Sequence, residues 1–150
     1  MQSNELRYAP FLTRLLAFIV DSFIVNIFIN IFLVFPINIF NLITNLEIFS
    51  SEILFNFTIL DILTYIITIS YFTIFTYFKG YTLGKYLCKI KVISRNNEKL
   101  TFFNILYRET IGRFLCGLFL FLGYIMVCFD SKKVGLHDYF ADTYVVYQPR

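Results

Sequence analysis

A chain of 150 residues that is 58% hydrophobic, 21% aromatic and only 15% charged lies well above the roughly 45–50% apolar usage of soluble domains, so most of its solvent is expected to be lipid. The net charge of +3 is modest, and no nucleic-acid partner is expected. Three cysteines, Cys88, Cys116 and Cys128, are odd in number and lack a CxxC pairing, which argues against a disulfide framework or a thiolate metal site.

The chain opens on positive charge followed by apolar residues, as a signal peptide would. Asp21 interrupts that run, however, and no small-residue cleavage site follows, so an uncleaved first span is expected. The first apolar block runs from about Leu15 to Phe35, long enough for the roughly 20 residues that a helix needs to cross a bilayer. Residues 37–56 place Ile39, Leu42, Leu46, Phe49 and Ile53 at spacings of three and four, the pattern of an amphipathic helix in the interface plane. A second block, about Phe57 to Phe78, carries Asp61 near its start, with Thr64, Tyr65 and Thr68 on nearly the same face.

After Lys79 comes Gly-Tyr-Thr-Leu-Gly-Lys-Tyr (80–86). It has three residues between its glycines where a nucleotide loop needs four, and Tyr86 where a magnesium-binding Ser or Thr is required. A tight turn built on Gly80 and Gly84 is the better reading. Residues 89–94 (KIKVIS) and 143–147 (TYVVY) alternate as strands do and are expected to pair. Between them lies a third apolar block, about Thr110 to Phe129, with Arg113 near its start. It is either a full span or a re-entrant hairpin broken at Gly117 or Gly123.

The fold expected is therefore an all-α membrane protein with three hydrophobic helical segments and a small two-strand element. Eight of the 13 Lys and Arg fall in residues 79–113, and none falls in 37–56. By the positive-inside rule the N-terminus and residues 79–109 face the cytoplasm, near anionic headgroups, and 37–56 face outward.

Few groups could carry chemistry. Arg14 and Asp21 are seven residues apart, within about 20° on one helix face. A carboxylate in a span costs about 2.5–3.5 kcal/mol on insertion scales, so Asp21 needs a partner, a water-filled cavity or a proton. The pair reads as an ion or proton site or as a packing device. His137-Asp138 suits a hydrogen-bonded turn, with Arg108 or the 80–85 turn as its partner. A single histidine rules out a His/Asp metal site and a His-based nucleophile arrangement, so no catalytic residue, metal or cofactor is expected.

Together the motifs R-x-x-A-x-x-x-D (Arg14, Ala17, Asp21), G-x-T-x-G-K with its I-x-V-I strand (Gly80, Thr82, Gly84 and Lys85 through Ile93), Arg108, and L-H-D-x-x-A-x-T-x-V-V (Leu136, His137 and Asp138 through Val146) resemble the RDD family of membrane proteins across residues 8–147. The resemblance implies that Arg14 is the family's arginine and Asp21 its first aspartate. Its second falls at Asp138, with Asp130 as the rival, and Asp61 has no counterpart. It further implies transport of an unassigned ligand, with monovalent-cation/proton exchange as one form, or the alternative role of a non-catalytic accessory subunit. No enzymatic activity is expected. The setting expected is the cell inner membrane, with the N-terminus cytoplasmic and a second copy or another membrane protein as partner.

Overall fold

The computed structural model describes residues 6–45, 52–54, 57–95, 99–118, 126–128, 130 and 132–148. They fall into two compact units, one of residues 1–21 with 72–150 and one of residues 22–71. The fold is mostly helical.

Helix α1 spans Phe11–Ile29, a π turn follows at Asn30–Val34, and α2 runs Phe35–Thr44. These join into one apolar helix, Phe11–Thr44, of mean hydropathy 2.3. Pro36 explains the wide turn: it cannot donate to the carbonyl four residues back and its ring crowds that position, a strain relieved by π geometry before it. The helix ends where Asn45 turns left-handed, at φ 53°. Helix α3, Ile59–Lys79, is the second element long and apolar enough to cross a membrane, with mean hydropathy 1.7. Only 17% of either apolar window is buried, unlike the core helix of a soluble protein, whose apolar face is covered by its neighbours.

In the unit of residues 22–71, several polar side chains bond locally. The Asn26 and Asn30 amides donate to the carbonyls of Ser22 and Asn26, each at 2.9 Å, and Thr64 and Thr68 donate to carbonyls of the preceding turn. Such bonds let polar groups sit in an apolar helix without an external partner. Asp61 and Thr58 form a reciprocal capping box. The Thr58 N–H donates to Asp61 Oδ2 at 2.9 Å and the Asp61 N–H to Thr58 Oγ1 at 3.2 Å, which satisfies donors at the start of α3.

The connection at 37–56 differs from the expected interfacial helix. Residues through Thr44 continue the first helix, and strands β1 (Glu52–Leu54) and β2 (Phe57–Thr58) pair antiparallel. The three-and-four spacing is helical as far as Leu42, within a helix that the π turn carries past Pro36. Leu46 and Phe49 lie outside the described residues.

In the other unit, α4 (Leu83–Leu87) leads into β3 (Ile90–Ser94), which pairs antiparallel with β4 (Thr143–Tyr147) from Ile90↔Tyr147 to Ser94↔Thr143. This is the expected pairing. The N-terminal segment runs along β4: the Ala9 N–H donates to the Val145 carbonyl and the Tyr147 N–H to the Arg7 carbonyl, both at 2.9 Å. Ala9, Ala17, Ile90, Val92 and Val145 close a small core.

The third apolar segment is described only in part. Helix α5 (Phe102–Tyr107) passes through a π turn (Arg108–Gly112) into α6 (Arg113–Leu118), and residues 126–128 form a helical turn. Gly123 lies outside the described residues, as does any break of the segment there. A short helix α7, Leu136–Phe140, precedes β4.

Because Asp61 is exposed and engaged in its cap, replacing it by alanine is expected to lower stability modestly. A thermal melt in detergent should show a shift of a few degrees. An unchanged melt would overturn the capping assignment.

Candidate functional site

The site is built around the carboxylate of Asp138, in the first turn of α7 and fully buried. Arg108, on the π turn, grips Oδ1 with two nitrogens, Nε at 2.9 Å and Nη2 at 2.8 Å. Arg14, from the first turn of α1, binds Oδ2 through Nη1 and donates Nε to the Ala9 carbonyl at 3.0 Å and Nη2 to the Lys133 carbonyl. Charge-assisted forks of this kind are the strongest hydrogen bonds a side chain makes. Burial works against the Asp138 charge, yet His137, Arg108 and Arg14 together hold its carboxyl well below the usual range.

Arg14 therefore does not pair with Asp21. Seven residues of helix separate the two by about 10 Å, and Arg14 reaches instead a carboxylate 124 residues away. Asp130 is no partner of Arg14 either: its Oδ2 accepts the Val134 N–H at 2.9 Å and shapes the turn before α7.

Asp21 is also fully buried, and it binds the Gly-x-Thr-x-Gly-Lys turn. Its Oδ2 accepts the Thr82 hydroxyl and its Oδ1 the Gly84 N–H at 2.7 Å. Thr82 stands at the N-cap of α4 without capping it, so a carboxylate from α1 performs that task from outside. Gly84 is required by contact, since a Cβ there would lie 2.2 Å from the Ala17 carbonyl oxygen. Gly80 is required by conformation: its φ is +75°, its N–H bonds Thr76 and its carbonyl accepts the Val92 N–H at 2.7 Å.

Two residues of the cluster were not singled out by sequence reasoning. Glu109 is buried beside Arg108, with Arg113 Nη2 2.6 Å from its Oε2. Their i, i+4 spacing was the available signal. Arg113 also lies over the rings of Phe72, at 4.1 Å, and Phe18, at 5.3 Å. Burial would raise the Glu109 carboxyl, but Arg113, Lys85 and Arg108 outweigh it and hold it at about 2. His137 is pushed down to about 4 by burial, against the pull of Asp138, and is neutral at pH 7.

These groups border a cavity of about 310 Å³. Arg14, Asp21, Lys85, Arg108, Arg113 and His137 supply its polar lining, and Phe11, Leu15, Phe18, Phe72 and Val127 are among its apolar walls. The Lys85 Nζ is buried with no hydrogen-bond acceptor among the described residues, and its nearest carboxylate oxygen is Glu109 Oε1 at 4.0 Å. Among the described residues no cluster of His, Cys, Asp and Glu could hold a metal ion.

The chain matches the RDD family profile over residues 8–142. The chain belongs to the RDD family. It is similar to the uncharacterized membrane protein YteJ of Bacillus subtilis, 35% identical over 94% of this chain and 82% of that protein. It is also similar to the uncharacterized protein YxaI of the same organism, at 37% over 45% and 43% of the two chains, and to the uncharacterized protein RP437 of Rickettsia prowazekii, at 32% over 65% and 54%. No solved structure matches. With two candidate spans among its described residues, this RDD chain is a membrane protein. Within it, Arg14 and Asp138 bind each other, and Asp21 binds the Gly-x-Thr-x-Gly-Lys turn.

Replacing Asp138 by alanine leaves the buried Arg108 and the half-buried Arg14 without their shared acceptor and is expected to cost about 3–5 kcal/mol, seen as a collapse in monodisperse, folded protein. Asp130→Ala, which removes one turn bond, should cost about 1 kcal/mol. Equal losses would contradict the assignment of Asp138 as the partner of Arg14.

Acid should unfold the protein in two stages. His137 has a folded value of about 4 against 6.5 unfolded, so its contribution is present above pH 6.5 and is lost as pH falls towards 4, roughly 3 kcal/mol in all. Glu109, at about 2 against 4.5, adds a further loss below pH 4.5. Melting temperatures from pH 8 to 3 should decline in both windows, and His137→Gln should flatten the first alone.

Proposed function

We propose that this RDD protein works in membrane transport, with the cavity beside the start of α1 as its ligand site and Lys85 as the group that takes up and releases a proton. What carries the reading is a buried amine that lines the cavity and makes no hydrogen bond to the described residues. Burial pushes the Lys85 ammonium down to about 8, against the pull of Glu109 and Asp21 and with help from Arg108 and Arg113. Its protonation thus changes close to neutral pH, whereas an arginine stays charged.

Exchange of one monovalent cation for one proton is the narrower form proposed. With Lys85 neutral, Arg14, Arg108 and Arg113 balance Asp21, Glu109 and Asp138. A cation against Asp21 then carries the same charge as the proton on Lys85, so the two are electrically equivalent occupants. The polar cluster is proposed to face the cytoplasm of the inner membrane, near anionic headgroups, as the cation-rich 79–113 stretch favours. Two spans enclose no path alone, so a second copy or another membrane protein completes it. The role proposed is non-enzymatic.

The alternative of an accessory subunit is favoured by one observation: each signature residue is held by contacts within the chain. Purified protein in liposomes carrying a pH gradient decides between the two. Sodium or potassium should dissipate the gradient, and Lys85→Arg, which keeps the charge but cannot release the proton, should slow this at least about tenfold. No flux from the wild-type protein would sink the transport reading and leave the accessory one.

A further inference from the structure

The cavity has a feature that cation exchange does not use. When Lys85 is protonated, four cationic side chains (Arg14, Lys85, Arg108 and Arg113) meet three carboxylates (Asp21, Glu109 and Asp138), and one positive charge is left in excess. An uncompensated charge at a buried site is costly. Among the described residues the Lys85 ammonium has no hydrogen bond to set against that cost. The polar lining is joined to an apolar one, Phe11, Leu15, Phe18, Phe72 and Val127, and a volume of about 310 Å³ falls in the range of small-molecule pockets.

We propose that this cavity binds an anionic amphiphile, a carboxylate or phosphate head on an apolar tail, whose head accepts a hydrogen bond from Lys85 and holds it protonated, so that the ligand blocks proton release. The proposal rests on Lys85 as the proton group but not on transport. The head restores neutrality, and the fixed guanidinium groups of Arg14, Arg108 and Arg113 supply donors or field. The tail lies along the phenylalanines. A bare inorganic anion would leave that apolar wall uncovered, and an uncharged apolar molecule would leave the excess charge unanswered.

Lys85 titrates among named neighbours: Asp21 from α1, Arg108 and Glu109 from the π turn, and Arg113 from α6, with Ile90 as the contribution of β3 to the lining. A bound anion adds one negative charge to this set and favours the ammonium. Binding is therefore coupled to proton uptake wherever the empty protein holds Lys85 partly neutral.

The test uses the full chain in nanodiscs of phosphatidylcholine, titrated calorimetrically with decanoate, with empty nanodiscs subtracted. At pH 9, runs in buffers of different ionisation enthalpy should show uptake of close to about one proton per decanoate, and at pH 6 close to none, with tighter binding at pH 6. Acetate, which lacks the tail, should not bind. Lys85→Met should abolish decanoate binding, while Lys85→Arg, which guards against simple misfolding, should bind without the pH dependence.

Native mass spectrometry separates the sources of the ligand. Retention of phosphatidic acid or phosphatidylglycerol by wild-type protein but not by Lys85→Met identifies a bilayer lipid. Decanoate binding without such retention identifies a free acid. The proposal is overturned if decanoate fails to bind, if binding is unchanged in Lys85→Met, or if no proton is taken up at pH 9. Absence of flux in liposomes, by contrast, would sink transport and leave these results standing.

Discussion

The unit that holds the site hangs on one buried carboxylate gripped by two arginines. Asp138 joins α1 through Arg14 and the π turn through Arg108, and its Oδ1 lies 3.4 Å from the Thr143 hydroxyl at the start of β4. A single carboxylate between two guanidinium groups is short of negative charge, so the arrangement needs more. Glu109 provides it, with Arg108 Nη1 at 3.3 Å and Arg113 Nη2 at 2.6 Å from its oxygens. Each charge is affordable only because its neighbours are present. This is why a chain so poor in charged residues can bury Asp21, Lys85, Arg108, Glu109 and Asp138 together.

The same arrangement explains why two aspartates do different work. Asp138 binds cations, whereas Asp21 binds a hydroxyl and a backbone N–H. The second is a fixing device for the turn that carries Lys85, since Gly84 can approach Ala17 and Asp21 only without a side chain. Moving Asp21 would move Lys85. The Lys85 charge is thus positioned by a carboxylate that is not its ion-pair partner.

What could be read from the chain follows the range over which each signal acts. Hydropathy is local, and it located the first two spans and the KIKVIS–TYVVY pairing from runs of residues that carry their own pattern. Arg14 and Asp138 are far apart in sequence, and a helical-face argument sees only neighbours within two turns, so it offered Asp21 as the partner. The 37–56 connection misleads for a related reason: its three-and-four spacing does not reveal that residues through Thr44 continue the first helix, which the π turn at Asn30–Val34 carries past Pro36. Glu109 was overlooked because a carboxylate beside an apolar block reads as a solvated end. Its burial follows from Arg108 and Arg113, whose inward direction depends on tertiary packing.

Among the charges around the cavity, Lys85 is the adjustable one. The arginines remain charged at any physiological pH, Asp138 and Glu109 are held ionised by cations on several sides, and His137 is neutral. At 4.0 Å, Glu109 attracts the Lys85 ammonium by roughly 4 kcal/mol at an effective dielectric near 20. Withdrawing an ammonium from water costs several kcal/mol as well. Two opposing quantities of similar size leave the proton weakly held, as the value of about 8 reflects. A small change in the cavity, one cation against Asp21 or one anion against Nζ, is then enough to decide whether Lys85 keeps its proton, while the surrounding network stays locked.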